Sequence, residues 1–224
     1  MTVEIKENID NNVLRVFIVR HGQTDHNVKK IIQGHLDAHL NDTGRVQAKQ
    51  VANGLSKITF DEFVSSDLVR CRHTLEAIQA VHPNVPVRYT VNLRERNMGH
   101  AEGLPIQEAI LKYGEDFRNL GEHSTKLQAR IEVEWNRILK ENPNGKNVIV
   151  CTHGGVITSF TNFLYDKRNY KLHENITKHD LRVPFNTSVT VVDIDKETKA
   201  GIIQTFGNTD HLGGQFEVQD QRLR

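Results

Sequence analysis

The 224-residue chain is poor in several residue types that would have fixed its character early. It has 2 cysteines, Cys71 and Cys151, which rules out a disulfide framework and makes a reduced, cytoplasmic protein the default. It has 5 prolines and no low-complexity block, so neither a proline-rich linker nor a disordered tract is present. No apolar run approaches the roughly 20 residues of a membrane helix. The first dozen residues are polar and acidic (Glu4, Glu7, Asp10), unlike a signal peptide. Charge is nearly balanced: 29 basic and 28 acidic residues give +1. No global field therefore favours nucleic acid or a membrane surface, and any anion site must be local. What remains is ordinary for a soluble globular protein, with 37% hydrophobic and 25% charged residues.

Against that background one stretch is distinctive. Leu14 to Thr24 reads LRVFIVRHGQT. Val16 to Val19 suit a buried parallel strand, and Arg20, His21 and Gly22 follow where the strand runs out. Ligands in open α/β sheets collect outside the carboxyl ends of strands. A second run, Asn147 to Cys151, ends in Thr152, His153, Gly154 and Gly155, with a helical pattern from Val156. Taken singly, such a histidine also suits a structural role at a strand end. Two strands that each deliver a His-Gly to their carboxyl ends point to chemistry.

The remaining pattern alternates strands and helices. A helix is expected from Asp42, capped by Asp42 or Thr43, with Ala48, Val51, Ala52 and Leu55 on one face. Phe60 to Ser65 reads as a strand. Ser66-Asp67 opens a helix whose apolar stripe runs through Leu68, Cys71 or Arg72, Leu75, Ile78 and Val81 and ends at His82-Pro83. Val85 to Tyr89 is a short strand. Pro105 to Tyr113 and Ser124 to Glu141 are helical, and Ser188 to Ile194 pairs with Gly201 to Thr205. Residues 25–41 read as a loop, residues before Val13 as a loose leader and residues from Gly213 as a polar, poorly ordered tail. This predicts an α/β three-layer sandwich: a mostly parallel, mixed central sheet with helices on both faces. It also predicts one domain over residues 1–224 with its core at about 13–208, and the segment from Arg94 to Thr125 as an insertion over the site.

The motifs Arg20-His21-Gly22-Gln23-Thr24 and Thr152-His153-Gly154-Gly155 resemble the histidine phosphatase (phosphoglycerate mutase-like) superfamily, from about Val16 to about Asn208. The resemblance implies a phosphohistidine intermediate on His21. Arg20 offers phosphate a planar fork. Ser65-Ser66-Asp67-Leu68-Val69-Arg70 is similar to the family's Ser-x-Leu-x-Arg element and makes Arg70 a second phosphate-binding arginine. The bland alternative is a solvated helix arginine. Leu93-Arg94-Glu95, with Gly99 and Glu102-Gly103, is similar to the acid motif and makes Glu95 the general acid, a role that needs a protonated carboxyl group. The alternative for Glu95 is an ion pair with Arg94 or Arg96. His153 is expected to cradle the phosphate opposite Arg20, in its protonated form as a third cation, or else only to orient His21. Asn27, Gln33, Gly34, Thr152 and Gly154 are secondary contacts that equally suit turn chemistry.

His26, His35 and His39 invite a metal reading, but their spacing is not a compact ligand pattern and the 12 histidines are scattered. No metal and no cofactor is expected. A noncatalytic binding module would be expected to lack at least one of His21, Glu95 and His153. Mutases of the family typically carry a tryptophan after the first motif and an Arg-Arg element with a proline cluster. Here the only Trp is Trp135, and residues 100–130 hold only Pro105. Gly121-Glu122-His123-Ser124, followed by Arg130, is more similar to the phosphatase branch. The reading is a metal-independent phosphomonoesterase with a small-molecule phosphate ester as partner and broad specificity. The alternatives are a phosphoglycerate mutase and a fructose-2,6-bisphosphatase-type sugar phosphatase. A homodimer is left open.

Overall fold

The computed structural model describes residues 4–213. A seven-stranded sheet has the order β3-β2-β4-β1-β6-β7-β5. Its strands are β1 Val13–Arg20, β2 Glu62–Ser66, β3 Val87–Thr90, β4 Asn147–Thr152, β5 Lys171–Leu172, β6 Val189–Asp195 and β7 Gly201–Asn208. The helices are α1 Asp25–Val28, α2 Asp42–Leu55, α3 Val69–Gln79, α4 Ile106–Tyr113, α5 Ser124–Glu141 and α6 Gly154–Arg168. β1 and β2 each run parallel to β4, and β3 parallel to β2. β6 is antiparallel to both β1 and β7, which makes the sheet mixed.

The apolar run in β1 is continuous because the strand is central and covered on both faces. Alternation splits it between two cores. Phe17 and Val19 pack with Val51, Leu55, Leu75 and Ile78 of α2 and α3. Val16 and Ile18 pack with Ile131, Trp135, Ile157 and Phe160 of α5 and α6. Among the described residues, no helix is long and apolar enough to cross a membrane.

Several local expectations shift. The cap of α2 is Asn41, whose side chain accepts from the Gly44 amide. α3 ends at Gln79, and Val81 is 40% exposed rather than part of the stripe. The stretch after Thr24 is not all loop: a Thr24–Asn27 capping box starts α1. The leader is not loose throughout. Asn8 is buried, its amide donates to the Asn147 side chain, and its own side chain donates to the Val13 carbonyl. Of the tail, Gly213 follows a short helical turn; residues after it lie outside the described range.

The insertion forms a small apolar cluster of its own. Ala101, Ile106, Ala109 and Phe117 pack on Ile32, and a bridge joins Ile31 to Pro105. It roofs the carboxyl ends of β1 and β4.

Candidate active site

Register brings the two His-Gly motifs together. Arg20 pairs with Thr152 at the end of the β1–β4 ladder, and the His21 amide donates to the Thr152 carbonyl at 2.9 Å. The His21 and His153 rings are then 5.3 Å apart at 58°. Gly22 is needed there, since a Cβ would stand 2.6 Å from the Gly44 carbonyl oxygen.

His21 is buried, and its Nδ1 lies 2.7 Å from the Gly22 carbonyl oxygen. A carbonyl only accepts, so Nδ1 carries the proton and Nε2 keeps its lone pair. Burial, then Arg70, then Arg20 hold the imidazole well below the ordinary histidine range, and so neutral. Arg20 is held by its Nη1 donating to the Pro184 carbonyl at 2.6 Å.

Arg70 is 0% exposed, so the solvated alternative fails. Its guanidinium donates to the carbonyls of Leu36 (2.7 Å) and Gly34 (2.8 Å), and Nε donates to His153 Nδ1 at 3.2 Å. Gly34 has φ +49, a conformation that favours glycine, and a Cβ there would run into the Glu102 carboxylate. The neighbouring Arg72 is exposed and covers the Tyr89 ring instead.

His153 differs from expectation. Its Nδ1 accepts from Arg70, so Nε2 carries the proton and donates to Ser66 Oγ at 2.8 Å. It is fully buried, and burial, Arg70 and His21 hold it well below the ordinary range. A third cation beside Arg70 is not what this geometry provides. The ring is neutral and stands behind the cavity wall. Cys71 and Cys151 are free, buried thiols in the same layer, with Cys71 Sγ 3.4 Å from His153 Nε2.

Glu95 makes neither of the anticipated ion pairs. Arg94 is taken by Asp67 at 2.7 and 2.5 Å and holds that carboxyl below the usual range. Arg96 donates to the Glu122 carbonyl and to Asn119 Oδ1. The Glu95 carboxyl group instead accepts from two backbone amides, Arg96 at 2.9 Å and Gly155 at 3.0 Å. The second lies in the first turn of α6. A Cβ on Gly155 would lie 2.5 Å from Glu95 Oε1, and one on Gly154 3.1 Å from Arg20 Nε. The glycine pair lets the helix end approach both side chains.

Arg20, His21, Asn27, Gln33, Gly34, Arg70, Glu95 and Gly154 all line one cavity of about 610 Å³. Asn27 Oδ1 already accepts from the Thr24 amide and hydroxyl, which leaves its Nδ2 to offer a ligand. The Thr152 hydroxyl points away and donates to the Leu93 carbonyl. The histidine-rich loop gathers no ligand set. His26 lines the cavity, His35 Nε2 lies 2.8 Å from the Glu95 carbonyl, and His39 faces His73. Among the described residues, no group of three His, Cys, Asp or Glu side chains is arranged to hold a metal ion.

Sequence reasoning missed Asn186. Its Nδ2 donates to the His21 carbonyl at 2.9 Å, from a segment with no periodic signal just before β6. It also left Arg130 without a task. That guanidinium grips both Glu122 oxygens and donates to the Glu95 carbonyl, so it ties α5 to the loop that carries Glu95.

The sequence from residue 16 to residue 205 matches the profile of the histidine phosphatase superfamily (branch 1). The chain belongs to this superfamily. A broad-specificity phosphatase of Saccharomyces cerevisiae is 45% identical over 238 aligned residues, which span 100% of both chains. A probable phosphatase of Schizosaccharomyces pombe is 35% identical over 89% of this chain and 95% of its own. Among solved structures, the phosphoglycerate mutase of Bacillus anthracis superposes with a TM-score of 0.74 over 91% of this chain and 97% of its own. At 23% identity that likeness concerns the fold, which is the phosphoglycerate mutase-like α/β sandwich. The chain is a phosphatase of this superfamily, and its substrate is a small-molecule phosphate ester.

Proposed function

We propose that the chain is a metal-independent phosphomonoesterase of broad specificity that turns over through phospho-His21. The observation that carries this reading is the tautomer of His21. With Nδ1–H bound to the Gly22 carbonyl, the Nε2 lone pair is free to attack phosphorus. As the N–P bond forms, the ester P–O bond breaks, and the leaving alkoxide takes a proton from Glu95. Arg20 and Arg70 meet the charge on the equatorial oxygens, with the α6 N-terminus behind them. Asn27, Gln33, Gly34 and Gly154 supply further polar contacts. In the second half, Glu95 takes a proton from water, whose oxygen attacks phosphorus and returns the N–P electron pair to His21. His153 holds Arg70 in place rather than supplying charge. Broad specificity is supported by the yeast relative that matches over its full length. Two free, buried thiols support a reducing, cytoplasmic location.

The test is phosphate release from a panel of phosphomonoesters in the presence of EDTA, with 3-phosphoglycerate followed for isomerisation. Release across the panel, undiminished by chelator and without isomerisation, is the expected result. Isomerisation with little phosphate released would make the chain a mutase, and loss of activity in EDTA would overturn the metal-free mechanism.

A further inference from the structure

The residues that lead into β6, from Pro184 to Ser188, form no strand or helix, yet they grip the first His-Gly motif at several points. The Pro184 carbonyl accepts from Arg20 Nη1, and the Ser188 carbonyl accepts from the Arg20 amide at 3.1 Å. The Thr187 amide donates to the carbonyls of Arg20 at 3.1 Å and His21 at 3.3 Å. The His21 carbonyl takes its shorter bond, 2.9 Å, from Asn186 Nδ2. This grip needs an unusual backbone. Thr187 is fully buried with φ +57, in the left-handed region that disfavours a β-branched side chain. Such a conformation persists only where its surroundings fix it, and it gathers at functional sites. Here it replaces the regular ladder, whose last β1–β6 pair is Val19 with Val189. The chain turns around His21 instead of running past it.

The peptide between His21 and Gly22 is thereby held at both ends. Its oxygen accepts from Asn186 and Thr187. Its N–H donates to Thr74 Oγ1 at 2.9 Å, and the Thr74 hydroxyl donates in turn to the Arg70 carbonyl. The next carbonyl along, that of Gly22, is the one that takes the His21 Nδ1 proton. Fixing the peptide fixes where that acceptor stands, and so the direction in which Nε2 points. Asn186 acts on a second neighbour as well. Its Nδ2 lies 3.3 Å from Asn27 Oδ1, which also accepts from the Thr24 amide and hydroxyl. Both hydrogens of Nδ2 are thus spent inside the protein. The remaining polar atom of the side chain is an oxygen, which cannot donate to phosphate. Asn186 lines the cavity with nothing to offer a phosphate oxygen.

We infer that Asn186 is a positioning residue for the nucleophilic step: it aims His21 Nε2 at phosphorus without touching the ester. The inference rests on the reading of His21 as the nucleophile, and the two are tested apart. The probes are inorganic phosphate and inorganic vanadate, with binding of each measured by calorimetry. Vanadate expands its coordination to take an in-line nitrogen ligand, so its affinity reports how well Nε2 is aimed. Phosphate meets the same oxygen contacts without that bond. In the wild type vanadate should bind more tightly than phosphate, and His21→Ala should erase the preference. Asn186→Ala and the near-isosteric Asn186→Leu should each lower the vanadate-over-phosphate ratio by about tenfold, with phosphate binding little changed. Phosphoenzyme formation, followed by rapid quench, should slow by a similar factor while KM holds. The ratio is read on folded protein, so a loss of stability alone does not move it. A ratio unchanged in both Asn186 variants overturns the inference. Equal weakening of both anions, with KM raised, also overturns it and makes Asn186 a ligand contact. If His21→Ala keeps the wild-type ratio, the nucleophile reading fails, whatever the Asn186 variants do.

Discussion

Gly155→Ala separates the positioning of Glu95 from the stability of the fold. Gly155 lies in the first turn of α6 and its φ is outside the left-handed region, so alanine fits the backbone there. Replacing a helical glycine by alanine favours the fold by about 0.5–1 kcal/mol. The new methyl group would start 2.5 Å from Glu95 Oε1 and 3.2 Å from Oε2. An ordinary carbon–oxygen contact needs the carboxyl group to retreat by about 0.5–1 Å. That retreat weakens the two amide bonds that now hold it. Displacement of a catalytic group on this scale costs up to about 10²-fold in rate. The loss should be greatest for alkyl phosphates, whose leaving alkoxide needs a proton, and about tenfold smaller for p-nitrophenyl phosphate, whose leaving group does not. The assay is kcat/KM on both substrates beside a thermal melt, with Tm expected within about 3 °C of wild type. In a Glu95→Gln background the same change should add little further loss, because the two act through one group. Equal losses on both substrates would mean that the methyl group obstructs the phosphate instead. Unchanged activity on both would refute the placement of Glu95 as the acid.

His21→Ala should abolish turnover and leave no acid-labile phosphoprotein after a rapid quench, with the circular dichroism spectrum retained; residual labelling would put the nucleophile elsewhere. Stability should fall with acid. His21 and His153 are held well below 6.5 in the fold, and His211 is lowered to about 4, in each case chiefly by burial. At these three groups the unfolded chain therefore binds up to three more protons than the native one as pH drops through about 6.5, and His82, also lowered by burial, adds in the same sense, so stability is full above that pH and is lost below it. Near pH 5 the slope approaches about 4 kcal/mol per pH unit, at about 1.4 for each histidine. Urea midpoints at pH 7, 6 and 5 measure it, and a flat profile would contradict neutral, buried imidazoles. His211→Gln should remove about a third of the slope without touching the site.

How much was legible depended on the range of the interactions. Helix α5 was readable to both ends, Ser124 and Glu141, because Leu127, Ile131, Trp135 and Ile138 repeat at helical spacing. The central strands were readable because an apolar run ending in His-Gly is a local pattern. Local patterns also set the register of each side chain on its own element, and the resemblance of the motifs to the family made Arg20, His21, Arg70, Glu95 and His153 nameable as a set. What they do to one another was settled by contacts across 27 to 165 residues of chain, which carry no periodic signal. Whether Arg70 was buried or solvated depended on the carbonyls of Gly34 and Leu36 coming to meet it. Once it was buried, its Nε fixed the tautomer of His153 and made that ring neutral. Glu95 was freed from its neighbouring arginines because Asp67, 27 residues away, took Arg94. Asn186 reaches the cavity from a separate loop, unremarkable by itself. The sequence by itself determined which nucleophilic, acidic and basic groups stand at the ends of the strands and helices. Only the tertiary structure decided their charge states and what else shares their cavity, because desolvation and pairing act through space rather than along the chain.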